Sequence, residues 1–172
     1  MHSDEFRRAF LEANRAYAAL GIRYALVGGL AAGAYGAPRV TRDIDFLVGS
    51  EAFVHRGPLI AFAVAMPLQA YSVAIDPIPL PEDETQAIAL ARSLTDPHMD
   101  VSLGVEVPML DATALAYMKL ATPRFKDLGD VVAMLLAGTI DREQLREYVA
   151  ADPSIEARYE AALEELNRDE DA

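Results

Sequence analysis

The sequence predicts an α+β fold: a small mixed β-sheet core with flanking helices over residues 1–110, and a C-terminal helical part over 111–172 packed on it as one compact unit. Three observations predict it. Strand-like and helical runs alternate as far as "VEVPML", only helical periods follow Asp111, and 172 residues at 52% apolar content can build one sizeable core but would be cramped as two domains.

The elements follow in order. Ser3 caps a first helix whose apolar stripe is Phe6, Phe10, Tyr17 and Leu20, and Gly21 is its C-terminal stop. "IRYALVGG" reads as a buried strand, "LAAGAYG" as a short helix begun directly after two glycines, and "RDIDFLV" as the second strand. From Gly57 to Pro81 the chain carries Pro58, Pro67, Pro77, Pro79 and Pro81, a density that forbids one long element and suggests a short helix plus a strand. "PEDETQAIALARSL" has acidic residues in its first turn and Arg92 in its last, the charge order a helix dipole favours. "MDVSL" and "VEVPML" are short strands around Gly104. Asp111 caps "DATALAYMKLAT", Pro123 interrupts, "KDLGDVVAMLLAG" runs to Gly138, and Asp141 caps "DREQLREYVAA" ahead of an acidic amphipathic helix over the last twenty residues.

Composition narrows the functions available. Without cysteine there is no disulfide, thiolate metal site or Cys nucleophile, which suits a reducing cytosol. The acidic N-terminus does not read as an export signal. The longest apolar run, "LIAFAVAM", lies between Pro58 and Pro67 and falls far short of the roughly 20 residues a bilayer requires, so the expectation is a soluble, cytoplasmic protein with no membrane partner. Net charge is −12, yet residues 1–50 hold six Arg against five acidic residues, which leaves −13 on the remainder. Such an acidic remainder opposes non-specific nucleic-acid binding by the isolated chain and leaves room for a compact anionic substrate that brings its own metal ions.

The residues that carry chemistry lie in "GGLAAGAYGAPRVTRDIDFLV". Side chains alternate along a strand, so Asp43 and Asp45 project from one face while Ile44, Phe46 and Val48 occupy the other. Two carboxylates at that spacing repel, and a divalent cation is the simplest neutraliser; oxygen ligands without His or Cys point to Mg²⁺. Gly28 and Gly29 close a strand and open a helix, where backbone N–H groups favour a phosphate and the missing Cβ allows it close. Arg39 and Arg42 flank this cradle as candidates for triphosphate oxygens, and Thr41 between them fixes the turn by a local hydrogen bond. The chain has only two lysines, Lys119 and Lys126. On spacing alone, Lys126 is also an i,i+4 partner for Asp130. The glycines do not satisfy GxGxxG, and neither a GxSxG elbow nor a P-loop GK[ST] occurs.

Glycine pair, "RVTRDIDFLV" and the downstream "KLATPRFKDLGDVVAML" together resemble the nucleotidyltransferase superfamily related to DNA polymerase beta, and within it the small bacterial minimal and abortive-infection toxin-type members. The downstream block carries Lys119, Arg124, Lys126, Asp127 and Asp130 in the order that group shows. The resemblance implies transfer of an NMP group from an NTP, ATP among them, to a hydroxyl on a tRNA, a protein or a small molecule. It implies two Mg²⁺ ions held by Asp43 and Asp45 and by a third carboxylate on a neighbouring strand. It also implies a nucleotide site drawn from Gly28, Gly29, Arg39, Thr41, Arg42, Lys119 and Lys126. For the third carboxylate, Asp100 in "HMDVSL" is preferred. Asp76 in "SVAIDP" competes, but Pro77 beside it argues for a strand end or turn. A small protein partner, as in a toxin–antitoxin pair, or a homo-oligomer belongs to the same picture. The alternative from another class is a catalytically silent nucleotidyltransferase-like binding or regulatory module.

Overall fold

The computed structural model describes residues 3–37, 40–56, 59–80, 90, 94, 97–122 and 124–170. In chain order these form α1 (Asp4–Ala19), β1 (Tyr24–Leu26), α2 (Gly28–Ala34), β2 (Asp43–Val48), β3 (Phe53–Arg56), β4 (Leu59–Phe62), β5 (Gln69–Ala70), β6 (Val73–Pro79), β7 (His98–Ser102) and β8 (Val105–Met109). Four helices follow: α3 (Ala112–Leu120), α4 (Phe125–Leu136), α5 (Arg142–Val149) and α6 (Pro153–Glu170). The fold is α+β, with a mixed six-stranded sheet in the order β5-β6-β2-β1-β8-β7 and a separate β3–β4 pair.

Local chemistry sets the ends of these elements. The Ser3 hydroxyl accepts the Phe6 N–H to start α1, Asp111 accepts the Ala114 N–H to start α3, and Asp141 accepts those of Glu143 and Gln144 to start α5. In the sheet, β1 lies antiparallel to β2, with Tyr24 opposite Val48, and parallel to β8. β2 runs parallel to β6. One face of β2 sends Phe46 against Tyr17 of α1 and Tyr24, at ring-centroid distances of 4.6 and 5.5 Å. That aromatic cluster fixes α1 on one side of the sheet and so turns Asp43 and Asp45 to the other.

α3 is buried on nearly all sides, its Leu115, Tyr117 and Leu120 fully inside. It packs against α2, α4, α5 and α6 and joins the helical part to the sheet.

The sequence reading of 57–81 needs correction. No helix occurs among its described residues; "LIAF" is β4, paired antiparallel to β3 with Phe53 opposite Phe62 and their rings 5.7 Å apart. A cross-strand aromatic pair of this kind supports a hairpin where proline shortens every run. The helix expected over 81–94 lies outside the described residues except for Leu90 and Leu94, both buried.

Candidate active site

β2 delivers Asp43 and Asp45 half-buried, alternating with fully buried Ile44 and Phe46. The parallel register of β6 sets Asp76 directly opposite Asp45. One carboxylate oxygen from each of Asp43, Asp45 and Asp76 lies within 4.8 Å of the others, with Asp76 the most exposed. A hard divalent cation takes oxygens that close, whereas three anions alone repel one another. Burial, first, and then the charges of Asp43 and Asp76 push the Asp45 carboxyl up to about 6 from an ordinary 3.8. A hydrogen bond from the Gly29 N–H and the charge of Lys119 pull it only partly back.

The carboxylate that the fold brings to Asp43 and Asp45 is therefore Asp76, and Asp100 is not brought there. Asp100 lies on β7, with β1 and β8 between it and β2, and its Oδ1 accepts the N–H of the adjacent Val101 at 2.6 Å. Pro77 misleads because it stands inside β6, where a strand end or a turn was expected. The Ile75 N–H points away from β2, to the Leu68 carbonyl at 3.0 Å. Residues 77 and 79 share that parity, so the donors that Pro77 and Pro79 lack would have faced away from β2, beyond the two-residue β5. Prolines there leave the β2–β6 ladder whole.

The two glycines serve the carboxylate as much as any phosphate. The Val27 N–H donates to the Asp45 carbonyl at 2.9 Å, which brings Gly28 over the Asp45 side chain. A Cβ on Gly28 would overlap that carboxylate, and its φ of +68° is in the left-handed region.

Asp43, Asp45, Gly28 and Gly29 line a cleft of about 350 Å³. Leu47, Ile78, Leu115 and Met118 give it an apolar wall, and Lys119, Arg124 and Lys126 give it cations. Lys119 is buried and pairs with Asp130 at 2.6 Å and Asp127 at 3.1 Å; Arg124, from the cleft rim, pairs with Asp127 at 2.5 Å. Lys126 is exposed on the rim and, among the described residues, has no ion-pair partner. Asp130 therefore pairs with Lys119 and not with Lys126.

The remaining sequence candidates separate. Thr41 is buried and its Oγ1 donates to Asp43 Oδ1 at 2.6 Å. Arg42 is exposed over a shallow depression shared with Ser3, Glu5 and Ser72, outside the cleft. Arg39 lies outside the described residues.

Fold and site together define an α+β domain with a carboxylate cluster beside a cleft that Lys119, Arg124 and Lys126 also line. No family model and no curated protein matches the chain. Among solved structures, it is similar to the solution structure of the antibiotic-resistance factor ANT(2'')-Ia, at 14% identity over 95% of this chain and 97% of that one, with a TM-score of 0.49. Among the described residues no helix is long and apolar enough to cross a membrane.

Proposed function

We propose that the chain is a Mg²⁺-dependent nucleotidyltransferase that moves an NMP group from an NTP to a hydroxyl acceptor. The observation that carries this reading is the convergence of Asp76 on Asp43 and Asp45, two carboxylates that line a cleft together with a glycine-opened helix start and three cations. The three carboxylates fit two Mg²⁺ ions, which when bound supply charge neutralisation at the attacking and leaving oxygens. The residues of the chain do the rest by position and charge. Arg124 and Lys126 meet triphosphate oxygens, Lys119 adds its charge from the cleft wall where Asp127 and Asp130 hold it, and the apolar wall around Leu115 and Met118 limits water beside the nucleotide.

In the transfer, the acceptor oxygen bonds to the α-phosphorus while the bond from that phosphorus to the bridging oxygen of the leaving group breaks, and pyrophosphate departs. The hydroxyl proton passes to a carboxylate; Asp76, the most exposed of the three, is open to an incoming acceptor. The same reading takes the acceptor to be a tRNA end, a protein hydroxyl or a small molecule, with the chain working in the cytoplasm. A co-encoded small protein would make it half of a toxin–antitoxin pair.

The test is transfer of label from α-³²P-NTPs in Mg²⁺ to candidate acceptors and to the protein itself. Wild type and Asp100→Asn should transfer alike. Asp45→Asn and Asp76→Asn should each fall by about a thousandfold, the scale of several kcal/mol of lost charge stabilisation. Wild type that neither transfers label nor binds any NTP would instead be the silent binding module.

A further inference from the structure

Thr41 is buried and is not among the residues that line the cleft, so a triphosphate bound there does not meet it. Its hydroxyl lies 2.6 Å from Asp43 Oδ1 and 3.4 Å from the Asp43 carbonyl oxygen. The shorter distance is that of a charge-assisted O–H···O⁻ bond, roughly twice as strong as a neutral one. Threonine is stiff at χ1, so a buried threonine presents its hydroxyl in a fixed direction. Its neighbour on the strand is held by other means: Asp45 accepts the Gly29 N–H and lies where Gly28 leaves room for it. Each carboxylate of β2 thus has a different donor beside it, for Asp43 a side chain before the strand and for Asp45 the backbone of Gly29.

We propose that Thr41 is a positioning residue of the metal site: its hydroxyl ties one oxygen of Asp43 and so holds the carboxylate in the rotamer that faces a divalent cation, without touching cation or nucleotide. The proposal rests on the reading of Asp43 as a metal ligand. It replaces both the turn-fixing role and the nucleotide contact that the sequence suggests for Thr41. The physical gain is pre-organisation. Asp43 and Asp45 repel, and the Thr41 hydroxyl favours the rotamer of Asp43 that stays beside its neighbour over those that lower that repulsion, which reduces what a cation must supply on binding. Partners of this kind, hydrogen-bonded to a ligating carboxylate, typically govern 10- to 100-fold in metal affinity.

The experiment is a titration with Mn²⁺ alone, which shares the preference for oxygen ligands and whose free form is read directly by electron paramagnetic resonance. Wild type, Asp43→Asn, Thr41→Val and Thr41→Ser are compared, each first shown to be folded by circular dichroism and thermal melting. Wild type should bind and Asp43→Asn should lose most of that binding. Thr41→Val, which keeps the shape and removes the hydroxyl, should bind about 10-fold more weakly or worse, while Thr41→Ser recovers most of the affinity. If the valine variant does not fold, Thr41→Ala serves in its place, since it removes the hydroxyl and adds no bulk. A folded valine or alanine variant with wild-type affinity overturns the proposal, and so does a serine variant as impaired as the valine. Wild type that binds no Mn²⁺ at all overturns the metal reading itself, a result distinct from either of these.

Discussion

Asp127 and Asp130 on α4 and Asp43, Asp45 and Asp76 on β2 and β6 are two aspartate groups that both reach one cleft, through Asp127 and through Asp43 and Asp45, and the chain treats them differently. The α4 pair is buried but each member has an ion-pair partner within the fold: Lys119 bridges both, and Arg124 adds a second contact to Asp127. For Asp45 no described residue forms an ion pair, and like charges from Asp43 and Asp76 outweigh the distant help of Lys119. The first group is complete within the fold and joins α3 to α4. The second holds the charge of Asp45 in a state that a cation from solution would relieve. An acidic cluster points to a ligand when the fold leaves its electrostatics unfinished, and far less so when it has already finished them.

The comparison breaks most severely at Lys119. Lys119→Met removes the cation that bridges Asp127 and Asp130 in the interior, and loss of one partner from a buried pair costs about 3–5 kcal/mol. Urea unfolding should show that loss whether or not Mg²⁺ is present. A loss under about 1 kcal/mol would mean that the network does not join the two helices.

Asp45 should respond in the opposite sense. Its folded value of about 6 stands above the ordinary 3.8, so between those limits the folded chain binds more protons than the unfolded one, and stability falls as pH rises. The penalty is absent below about pH 4 and fully present above about pH 7, where two units correspond to about 3 kcal/mol as an upper figure. Asp45→Asn in EDTA should therefore be more stable than wild type at pH 8 by about 2–3 kcal/mol and little different at pH 4. Added Mg²⁺ should raise the melting temperature of wild type and leave that of the variant unchanged. Thermal melts across that pH range, with and without metal, sharpen the contrast; an Asp45→Asn variant less stable than wild type at pH 8 in EDTA would remove it.

The smallest effect belongs to Arg124. Its side chain is more than half exposed, and Asp127 keeps its bond to Lys119 without it. Arg124→Ala should cost no more than about 1 kcal/mol by urea unfolding. A larger loss would show that the rim arginine belongs to the structural network and is not free to serve the cleft.

Much of the fold was legible in local signals. The caps at Ser3, Asp111 and Asp141 and the stops at Gly21 and Gly138 mark helices that the structure contains. The period of two in "DIDFLV" correctly placed Asp43 and Asp45 on one face. What could not be read was information that resides in pairing between strands. Whether Pro77 ends β6 or rides its outer side depends on the direction of the Ile75 amide, which is set by Leu68 and not by any residue beside it. The partner of Asp130 was hidden for a similar reason. Spacing offered Lys126, four residues away on the same helix, but Asp130 faces inward where Lys119 arrives from α3 while Lys126 stays at the surface. Gly28 read as room for a phosphate, because the close approach of Asp45 depends on the antiparallel register of β1 and β2.

The prolines of β6 have an effect beyond the cleft. Past Ala74 the outer flank of that strand offers no amide at 77 or 79, and at the opposite margin of the sheet Asp100 occupies the Val101 amide. A foreign extended chain looking for hydrogen-bond donors meets few at either margin, so the sheet resists recruitment into larger β-assemblies even though Met99 and Val101 leave oily surface on its rim.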